Sequence, residues 1–237
     1  MITFFNAVNT YTDASIVTDR DGRFISCAGY ITVFHGEVID SGTKIVYNTT
    51  NNYGEILAIY MGIQSLLSFK EYDTFLNLFS DSKISIMGLR EWIYGWLRNS
   101  GSNENFLVNS NGNLVSNQEI FCNIINYIVQ NNTHLSLYHQ KGHKDPSNVR
   151  DMEEVRKCFL QSNNVLLSDD IIREICYYNN MVDRMTRNVL KQTTSKPGFH
   201  PDNYKKPWYV ARRVLNWDMM GEYKKLIEGE KYNYGKH

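Results

Sequence analysis

The sequence predicts an α/β fold: a mixed five-stranded sheet with helices on both faces. Three stretches rich in β-branched and aromatic residues open the chain, and turn signals at Asp21-Gly22 and His35-Gly36 indicate an antiparallel meander. Helical and strand-like segments alternate after residue 50. This order is typical of a mixed sheet covered by helices, and no internal repeat or Gly-rich phosphate loop argues for another class.

The composition is that of one large domain, or of one domain with an appendage. The chain has 237 residues, and a hydrophobic content of 42% excludes a disordered protein. Its 25 Lys and Arg residues balance 25 Asp and Glu residues, so a molecule-wide basic field for nucleic acid is excluded, although a local patch is not. The 4 cysteines show neither a C-x-x-C pair nor zinc spacing, which favours reduced thiols.

Neither a signal peptide nor a membrane span is predicted. Residues 1–6 lack a basic n-region followed by a long apolar stretch. No apolar run approaches the roughly 20 residues that a span requires. We therefore expect a cytoplasmic protein with no membrane partner. The high Asn, Tyr, Ile and Lys content indicates an AT-rich genome, such as that of a phage or virus, and the host cytoplasm would then be the location.

The first strand is predicted to end in a carboxylate. The apolar stretch 4–8 leads into the sequence Tyr-Thr-Asp-Ala-Ser at residues 11–15, which places Asp13 at the strand end. The second and third strands are predicted at 23–34 and 37–47.

A helix with 3.6-residue periodicity is predicted at 52–69. N-cap chemistry at Thr50 precedes it, and Glu55 falls in its first turn, so a capping-box acid is the alternative to a functional carboxylate. A short buried strand at 74–79 follows and leads to Asp81, for which an N-cap is the alternative role.

The second half of the chain is predicted to be mostly helical. Helical spacing marks five segments: 84–96, 116–129, 148–160, 169–178 and 180–191. The first should break near Gly88, and a weakly patterned loop at 98–115 follows it. A strand at 134–139 is followed by a mobile loop at 140–146. The segment 169–178 is expected to run into the last one, near whose start Asp183 lies.

The tail beyond Lys191 is basic and aromatic. Between Lys191 and His237 there are ten Lys or Arg against five Asp or Glu, a net charge of +5. Residues 210–227 have helical spacing. Such a segment can bind single strands by stacking and phosphate contact. In the alternative, which we favour, the aromatic rings pack on the domain and the charged groups stay in solvent.

Four carboxylates are placed where they can meet. If the first and fourth strands are adjacent and parallel, Asp13 and Asp81 project near each other, with Glu55 and Asp183 on flanking helices. Carboxylates that share a cleft repel unless cations intervene. Oxygen-only ligands suit Mg²⁺ or Mn²⁺ rather than zinc. Two such ions about 4 Å apart can bridge a phosphodiester, one activating water and the other stabilising the leaving oxygen.

These segments resemble type 1 ribonuclease H over residues 7–190. The resemblance is carried by the following segments in chain order: Tyr-Thr-Asp13-Ala-Ser, Thr-Asn-Asn-Tyr-Gly-Glu55-Ile-Leu-Ala, Ser-Asp81-Ser with Gly88, Trp92-Ile93 and Trp96 in the next helix, Lys-Gly-His143, and Asn-Met-Val-Asp183-Arg-Met-Thr. The Asn of the last segment stands one position closer to the acid than in the family.

The resemblance implies a ribonuclease H-like fold and a metal-dependent endonuclease. Such an enzyme cuts the RNA strand of RNA–DNA hybrids by a two-metal mechanism and leaves 5′-phosphate ends, and removal of replication primers would be its role. The metal ligands would be Asp13, Glu55, Asp81 and Asp183, holding two Mg²⁺ ions that Mn²⁺ can replace. A monomer with the hybrid as its partner is expected.

Further roles are implied outside the four acids. His143 would assist proton transfer or product departure; an exposed loop histidine is the alternative. Substrate contacts would come from Ser15, Asn51, Asn52 and Trp92, with the two asparagines in the minor groove, where the 2′-OH distinguishes RNA from DNA. Trp92 and Trp96 would both belong mainly to the core, with one of them near the DNA strand.

Two of three departures from the family concern added segments. About forty residues separate His143 from Asp183, where the family has a short link. We therefore predict a catalytic domain at 1–191 that carries a helical insertion at about 147–178. The basic-aromatic extension at 192–237 has no counterpart in a minimal enzyme and is a candidate source of substrate affinity.

The third departure is the loop after Trp96. It occupies the place of the family's basic substrate-binding element but offers Arg98 and no lysine, with Glu104 opposing. Low hybrid affinity is expected from this loop.

Two other functions remain open. One is a different nuclease on the same fold, acting on branched or duplex DNA, although the Thr-Asn-Asn-x-x-Glu segment argues against it. The other is a non-catalytic module that binds nucleic acid or protein through the insertion and the tail. A further alternative is that the acids have a purely structural role and the chain has no site here.

Overall fold

The computed structural model describes residues 6–19, 22–72, 74–101, 106–205 and 215–228. The strands are β1 Ala7–Thr18, β2 Phe24–Phe34, β3 Glu37–Tyr47, β4 Phe75–Ser80 and β5 Ser136–His139. They form one five-stranded sheet in the order β3-β2-β1-β4-β5. The β1–β2 and β2–β3 pairs are antiparallel, whereas β4 runs parallel to both β1 and β5. The predicted mixed sheet is therefore confirmed, including the parallel pairing of the first and fourth strands.

The helices are α1 Asn51–Ser68, α2 Lys83–Met87, α3 Ile93–Asn99, α4 Gln118–Asn131, α5 Val149–Asn163, α6 Asp169–Thr194 and α7 Trp217–Glu228. A π-helical turn, Gly88–Trp92, joins α2 to α3 at the predicted break. Gly88 is required there because a Cβ at this position would lie 2.6 Å from the ring of Phe121 in α4. Among the described residues, no helix combines the length and the apolar character that crossing a membrane takes.

Helices cover both faces of the sheet, as predicted. On one face α1 packs together with α4 and α7 in the larger apolar core. Gly62 of α1 lies so close to β1 that a Cβ would be 2.7 Å from Thr12 Cγ2. On the other face α5 and α6 cover a second core. Its centre is a stack of aromatic rings. The centroid of the Tyr11 ring lies 5.0 Å from that of Phe79 and 5.1 Å from that of Tyr178.

β1 does not end at Asp13, so the predicted strand end is wrong. Its parallel pairing with β4 stops at Thr12, but its antiparallel pairing with β2 continues to Thr18. The longer partner β2 keeps the backbone hydrogen bonds of residues 14–18 satisfied, and a turn at Asp13 is unnecessary. Asp13 therefore marks the point where β1 loses one neighbour rather than the end of the strand.

The two predicted helical segments at 169–178 and 180–191 form the single 26-residue helix α6. Buried residues continue along one side of it, from Ile172 through Val182 to Leu190, so its apolar face has no interruption. Asp183 consequently lies in the middle of this helix rather than near a helix start. The 15-residue helix α5 lies in the predicted insertion.

Part of the predicted C-terminal extension packs on the domain. Tyr223 of α7 is 0% exposed in the larger core and donates a hydrogen bond to the Leu89 carbonyl at 3.2 Å. The Leu135 amide, which precedes β5, donates to the Leu226 carbonyl at 3.1 Å. The predicted helix at 210–227 is found from Trp217, and residues 206–214 and 229–237 lie outside the described part, as does Glu104.

Replacing Tyr223 by alanine should lower the free energy of unfolding by about 3–5 kcal/mol, because a large buried ring leaves a cavity. Tyr223→Phe, which removes only the hydroxyl, should cost about 1 kcal/mol. The matched control is Trp217→Ala in the same helix, since that side chain is 54% exposed. Urea unfolding followed by circular dichroism measures all three. A cost for Tyr223→Ala no larger than that for Trp217→Ala would show that α7 is not part of the core.

Candidate active site

Three carboxylates converge where β1 loses contact with β4. Asp13, Glu55 and Asp81 each offer one oxygen, and these atoms lie within 4.8 Å of one another. Asp183 of α6 is outside that group, but its charge acts on all three carboxyl groups. The four predicted acids are therefore brought to one place.

The sheet register places two of these acids. Thr12 of β1 pairs with Ser80 of β4 in the last step of the parallel ladder, and each strand continues into an acid, Asp13 and Asp81. Side chains one step beyond the same parallel pair emerge at the same edge of the sheet.

Two glycines allow the flanking helices to bring the other acids close. A Cβ at Gly54 would overlap Ser26 Oγ of β2, so α1 lies against the sheet just before Glu55. A Cβ at Gly29, which is opposite Asp13 in β2, would overlap Thr186 Cγ2 of α6. Neither helix could approach the sheet as closely with a larger residue at these positions.

The helix-capping alternatives for Glu55 and Asp81 are wrong. Thr50 caps α1 by accepting a hydrogen bond from the Tyr53 amide at 3.2 Å, and the first turn holds no acid. The N-cap position of α2 belongs to Ser82, not Asp81. Both carboxylates are therefore available for another role.

Two buried oxygens of the cluster have no hydrogen-bond partner among the described residues: Asp13 Oδ2 and Glu55 Oε2. Buried polar atoms are nearly always satisfied in folded proteins, so this pair calls for a ligand. Because every donor is a carboxylate oxygen, the group fits a divalent cation of the Mg²⁺ or Mn²⁺ type. Asp13, Glu55 and Asp81 would hold it.

Burial and mutual repulsion disfavour the charged form of these carboxyl groups. Burial, together with the charges of Asp81 and Asp183, raises the pKa of Asp13 to about 8. Burial and the neighbouring carboxylates raise the pKa of Glu55 well above its usual value. Burial also raises the pKa of Asp81, which the nearby His143 partly offsets. The site thus needs protons or cations to balance its charge.

His143 stands at the mouth of the cluster. Its Nδ1 lies 3.8 Å from Asp183 Oδ2, and 59% of its side chain is exposed. The preceding residue is necessarily glycine, since a Cβ at Gly142 would overlap Asp81 Oδ2. The loop at 140–146 therefore runs directly against the acids, and it places His143 beside Asp183.

The predicted substrate residues surround the cluster. Ser15 lies two residues beyond Asp13 on β1, and its Oγ is 2.8 Å from Thr186 Oγ1. Asn51 and Asn52 are exposed in the first turn of α1. Trp92 is 39% exposed, whereas Trp96 packs edge-on against Phe121 in the core, as expected. Their roles in binding stay predictions.

Sequence reasoning missed the partners that hold these residues. Arg187 Nε lies 2.9 Å from Asp183 Oδ1, an i,i+4 pair that the helical spacing could have indicated. Asn180 Nδ2 donates to the Lys144 carbonyl at 2.8 Å and so ties the loop at 140–146 to α6. That contact joins residues distant in sequence, and no local pattern predicts it.

A cavity of about 670 Å³ opens beside Asp81. One side carries Lys83 and Glu91, and the opposite side carries Cys158, Gln161 and Ser162 of α5. Helix α5 therefore forms one wall of the space next to the acids.

A family model described as RNase H matches residues 6–155, more than half of the chain. A ribonuclease H of Campylobacter jejuni is 41% identical over 51 residues, which are 22% of this chain and 32% of that protein. A ribonuclease HI of another strain of the same species matches over the same shares. The match thus spans about a third of the length of these curated relatives.

A foamy viral protease–reverse transcriptase, solved in complex with an RNA/DNA hybrid, superposes with a TM-score of 0.50. The superposition covers 70% of this chain and 21% of that chain at 16% sequence identity. This likeness shows a shared fold, and the predicted ribonuclease H-like fold is confirmed.

Without divalent cations, the protein should lose stability as the pH rises from about 4 to about 8. The pKa of Asp13 is about 8 in the folded protein against 3.8 in an unperturbed aspartate, so the folded state keeps a proton that the unfolded state has lost. The stability from this group is full below about pH 4 and is lost as the pH rises through the folded pKa. At pH 8.5 the free energy of unfolding of Asp13→Asn should therefore exceed that of the parent by at least about 1 kcal/mol.

Urea unfolding in EDTA at pH 5 and pH 8.5 measures this difference. Asp170→Asn, an exposed acid at the start of α6, is the control and should follow the parent. A parent protein equally stable at both pH values would contradict the raised pKa.

Proposed function

The chain belongs to the ribonuclease H family, and we propose that it is an endonuclease that hydrolyses the RNA strand of RNA–DNA hybrids. The observation that carries the proposal is the convergence of three carboxylates within 4.8 Å at the end of the β1–β4 ladder. His143 and Asp183 lie directly beside them. An acidic cluster of this composition is suited to metal-assisted phosphodiester hydrolysis, because it offers several oxygen ligands and no hydroxyl or thiol group of its own.

The acids would hold two divalent cations, which supply the positive charge that activates water and stabilises the leaving oxygen. Asp13, Glu55 and Asp81 would bind the cations, and Asp183 would add negative charge from the α6 side. Arg187 restrains the Asp183 carboxylate through their 2.9 Å contact. His143 is exposed and near the acids, so it can take up or give back a proton at an imidazole nitrogen.

Substrate choice would depend on the surface around the cluster. Asn51 and Asn52 are amide side chains at the open start of α1, suited to hydrogen bonds with the 2′-OH and base edges in a minor groove. Ser15 and Trp92 would contact the strands on either side. The foamy viral protein of the same fold was solved with an RNA/DNA hybrid, which supports this substrate class.

The finer assignments belong to the same proposal. The products would carry 5′-phosphate ends, Mg²⁺ or Mn²⁺ would serve as the metal, and the removal of replication primers would be the use. The protein would act as a monomer in the cytoplasm.

Cleavage of an RNA–DNA hybrid labelled on each strand tests the proposal. The parent should cut only the RNA strand, in Mg²⁺ or Mn²⁺ and not in EDTA. Asp81→Asn, which keeps the shape but removes a ligand charge, should lower the rate at least about 100-fold, since even residues that only orient metal ligands are worth 10–100-fold. Asp170→Asn should leave the rate unchanged.

Duplex DNA, branched DNA and duplex RNA serve as competing substrates in the same assay. Faster cleavage of DNA would favour a different nuclease activity on this fold. Binding of the hybrid by folded protein, without cleavage in either metal, would favour a non-catalytic module. Either result would overturn the ribonuclease H proposal.

A further inference from the structure

Helix α6 changes its charge at Asp183. Its first half, up to Val182, carries three acids and one cation. After Asp183 the chain carries only cations as far as Lys196: Arg184, Arg187, Lys191 and Lys196. The change of sign occurs at the residue that faces the acidic cluster.

The three cations of α6 that follow Asp183 share one exposed face. Arg184, Arg187 and Lys191 stand at positions i, i+3 and i+7, and all three are exposed. Leu190 lies on the buried side, against the sheet. At 1.5 Å per residue the face extends about 10 Å, or about three nucleotides of one strand. We call Arg184, Arg187 and Lys191 the basic face of α6.

The basic face leads away from the acids along β1. The 2.8 Å contact between Ser15 and Thr186 ties this part of β1 to α6. Beyond the helix lies a cavity of about 780 Å³, whose lining includes Lys196 and Asp202, together with Arg23, which pairs with Asp19 at 3.3 Å. A strand that left the acidic cluster over Ser15 would therefore pass cations on one side.

The chain between α3 and β5 has no such charges. Residues 100–139, which follow α3 and continue to the end of β5, contain no Lys or Arg. Nucleic-acid affinity comes largely from cations that meet phosphates, so this long stretch cannot supply it.

We infer that the basic face of α6, continued by Lys196, binds the backbone phosphates of one strand of the substrate. The inference rests on the proposed function, since it assigns the surface by which the same site would hold its hybrid. The basic face of α6, rather than the loop after α3, is then the main electrostatic contact with the substrate.

Arg184→Gln and Lys191→Gln test this surface, singly and together. Arg187 is left intact because it contacts Asp183. Each variant should raise KM for the hybrid by roughly 5-fold with kcat unchanged, and the plot of log Kd against log salt should flatten by about 0.7–0.9 per lost contact. Arg173→Gln, in the acidic half of the same helix, is the matched control and should keep the parent's slope.

Fluorescence anisotropy of a labelled hybrid in EDTA gives Kd without cleavage. Unchanged salt slopes for both variants would overturn the assignment of the surface, even if the parent cleaves. Flattened slopes with an inactive parent would leave the surface in place and reject only the nuclease proposal.

The contacts of α5 point independently to a role for the inserted helix. Lys144 Nζ lies 3.1 Å from Asp151 Oδ1 and 2.6 Å from Glu154 Oε2. The Asp145 amide donates to Asp151 Oδ2 at 3.0 Å. Two side chains of α5 thus hold the two residues that follow His143.

The helix that makes these contacts is anchored in the second core. Val155 and Phe159 of α5 are completely buried in the second core, so the helix is fixed to the sheet. The Lys144 side chain is only 17% exposed, and its partner Asp151 is 24% exposed, whereas Glu154 is 56% exposed and so screened more by solvent. On the other side, Asn180 of α6 binds the Lys144 carbonyl.

We propose that Asp151 and Glu154 are positioning residues, which fix the loop so that His143 stays beside Asp183. This proposal, too, rests on the function assigned to His143. A family member without the insertion would need another means of holding the loop, whereas here the added helix supplies it.

The combined change Asp151→Asn and Glu154→Gln should lower kcat roughly 10-fold with KM unchanged. Lys144→Gln, which leaves α5 itself unaltered, should do the same. Glu153→Gln is the control, because Glu153 pairs within α5 with Arg156 and Lys157. Hydrogen exchange of the amides at 141–145 should speed up in the first two variants only.

A double-mutant cycle with His143→Ala separates positioning from general stability. In that background the Asp151→Asn and Glu154→Gln changes should cause no further loss of kcat. Losses that simply multiply, or loop amides that exchange as in the parent, would overturn the proposal. The exchange measurement stands even if the parent proves inactive.

Discussion

The repulsion among carboxylates at the end of the β1–β4 ladder is the constraint on which the rest of the site depends. Asp13 is almost completely buried, and Asp81 and Asp183 act on it at short range. Burial without compensation is costly for a charged group. The two unpartnered oxygens, on Asp13 and Glu55, show that the protein itself does not supply this compensation among the residues described. A site held in this state favours whatever brings positive charge, so affinity for cations follows from the fold.

The surrounding structure maintains the crowding. The parallel register delivers Asp13 and Asp81 together, and close approach at Gly54 and Gly29 brings α1 and α6 against the sheet. The loop with His143 is then held over the acids by contacts from both covering helices on the α6 side. Because α5 is anchored in the second core, this helix extends the scaffold of the site rather than lying apart from it. The basic face of α6 gives one side of the site a row of cations along which a charged strand would lie.

Most of the sheet and the identity of the acids followed from the sequence, because both have local signals. Alternation of apolar residues gave the strands, and short motifs gave Asp13, Glu55, Asp81 and His143. The course of β1 beyond Asp13 did not follow, since it depends on a distant partner, β2. The continuity of α6 was only partly visible, because a polar stretch near Asn180 masks the buried stripe. The ion pairs of Lys144 with α5 and the packing of Tyr223 join segments far apart in the chain, and local patterns carry no information about them.

Calorimetric titration with Mn²⁺ at pH 7, in two buffers with different heats of ionisation, tests the central interaction most directly. Because burial and the neighbouring carboxylates raise the pKa of Asp13 to about 8, we expect cation binding at this pH to displace a proton. We expect binding whose heat differs between the buffers in proportion to roughly one released proton, and a smaller difference for Asp13→Asn. Equal heats in the two buffers, or no binding by folded protein, would contradict a carboxylate cluster that is held together by protons until a cation replaces them.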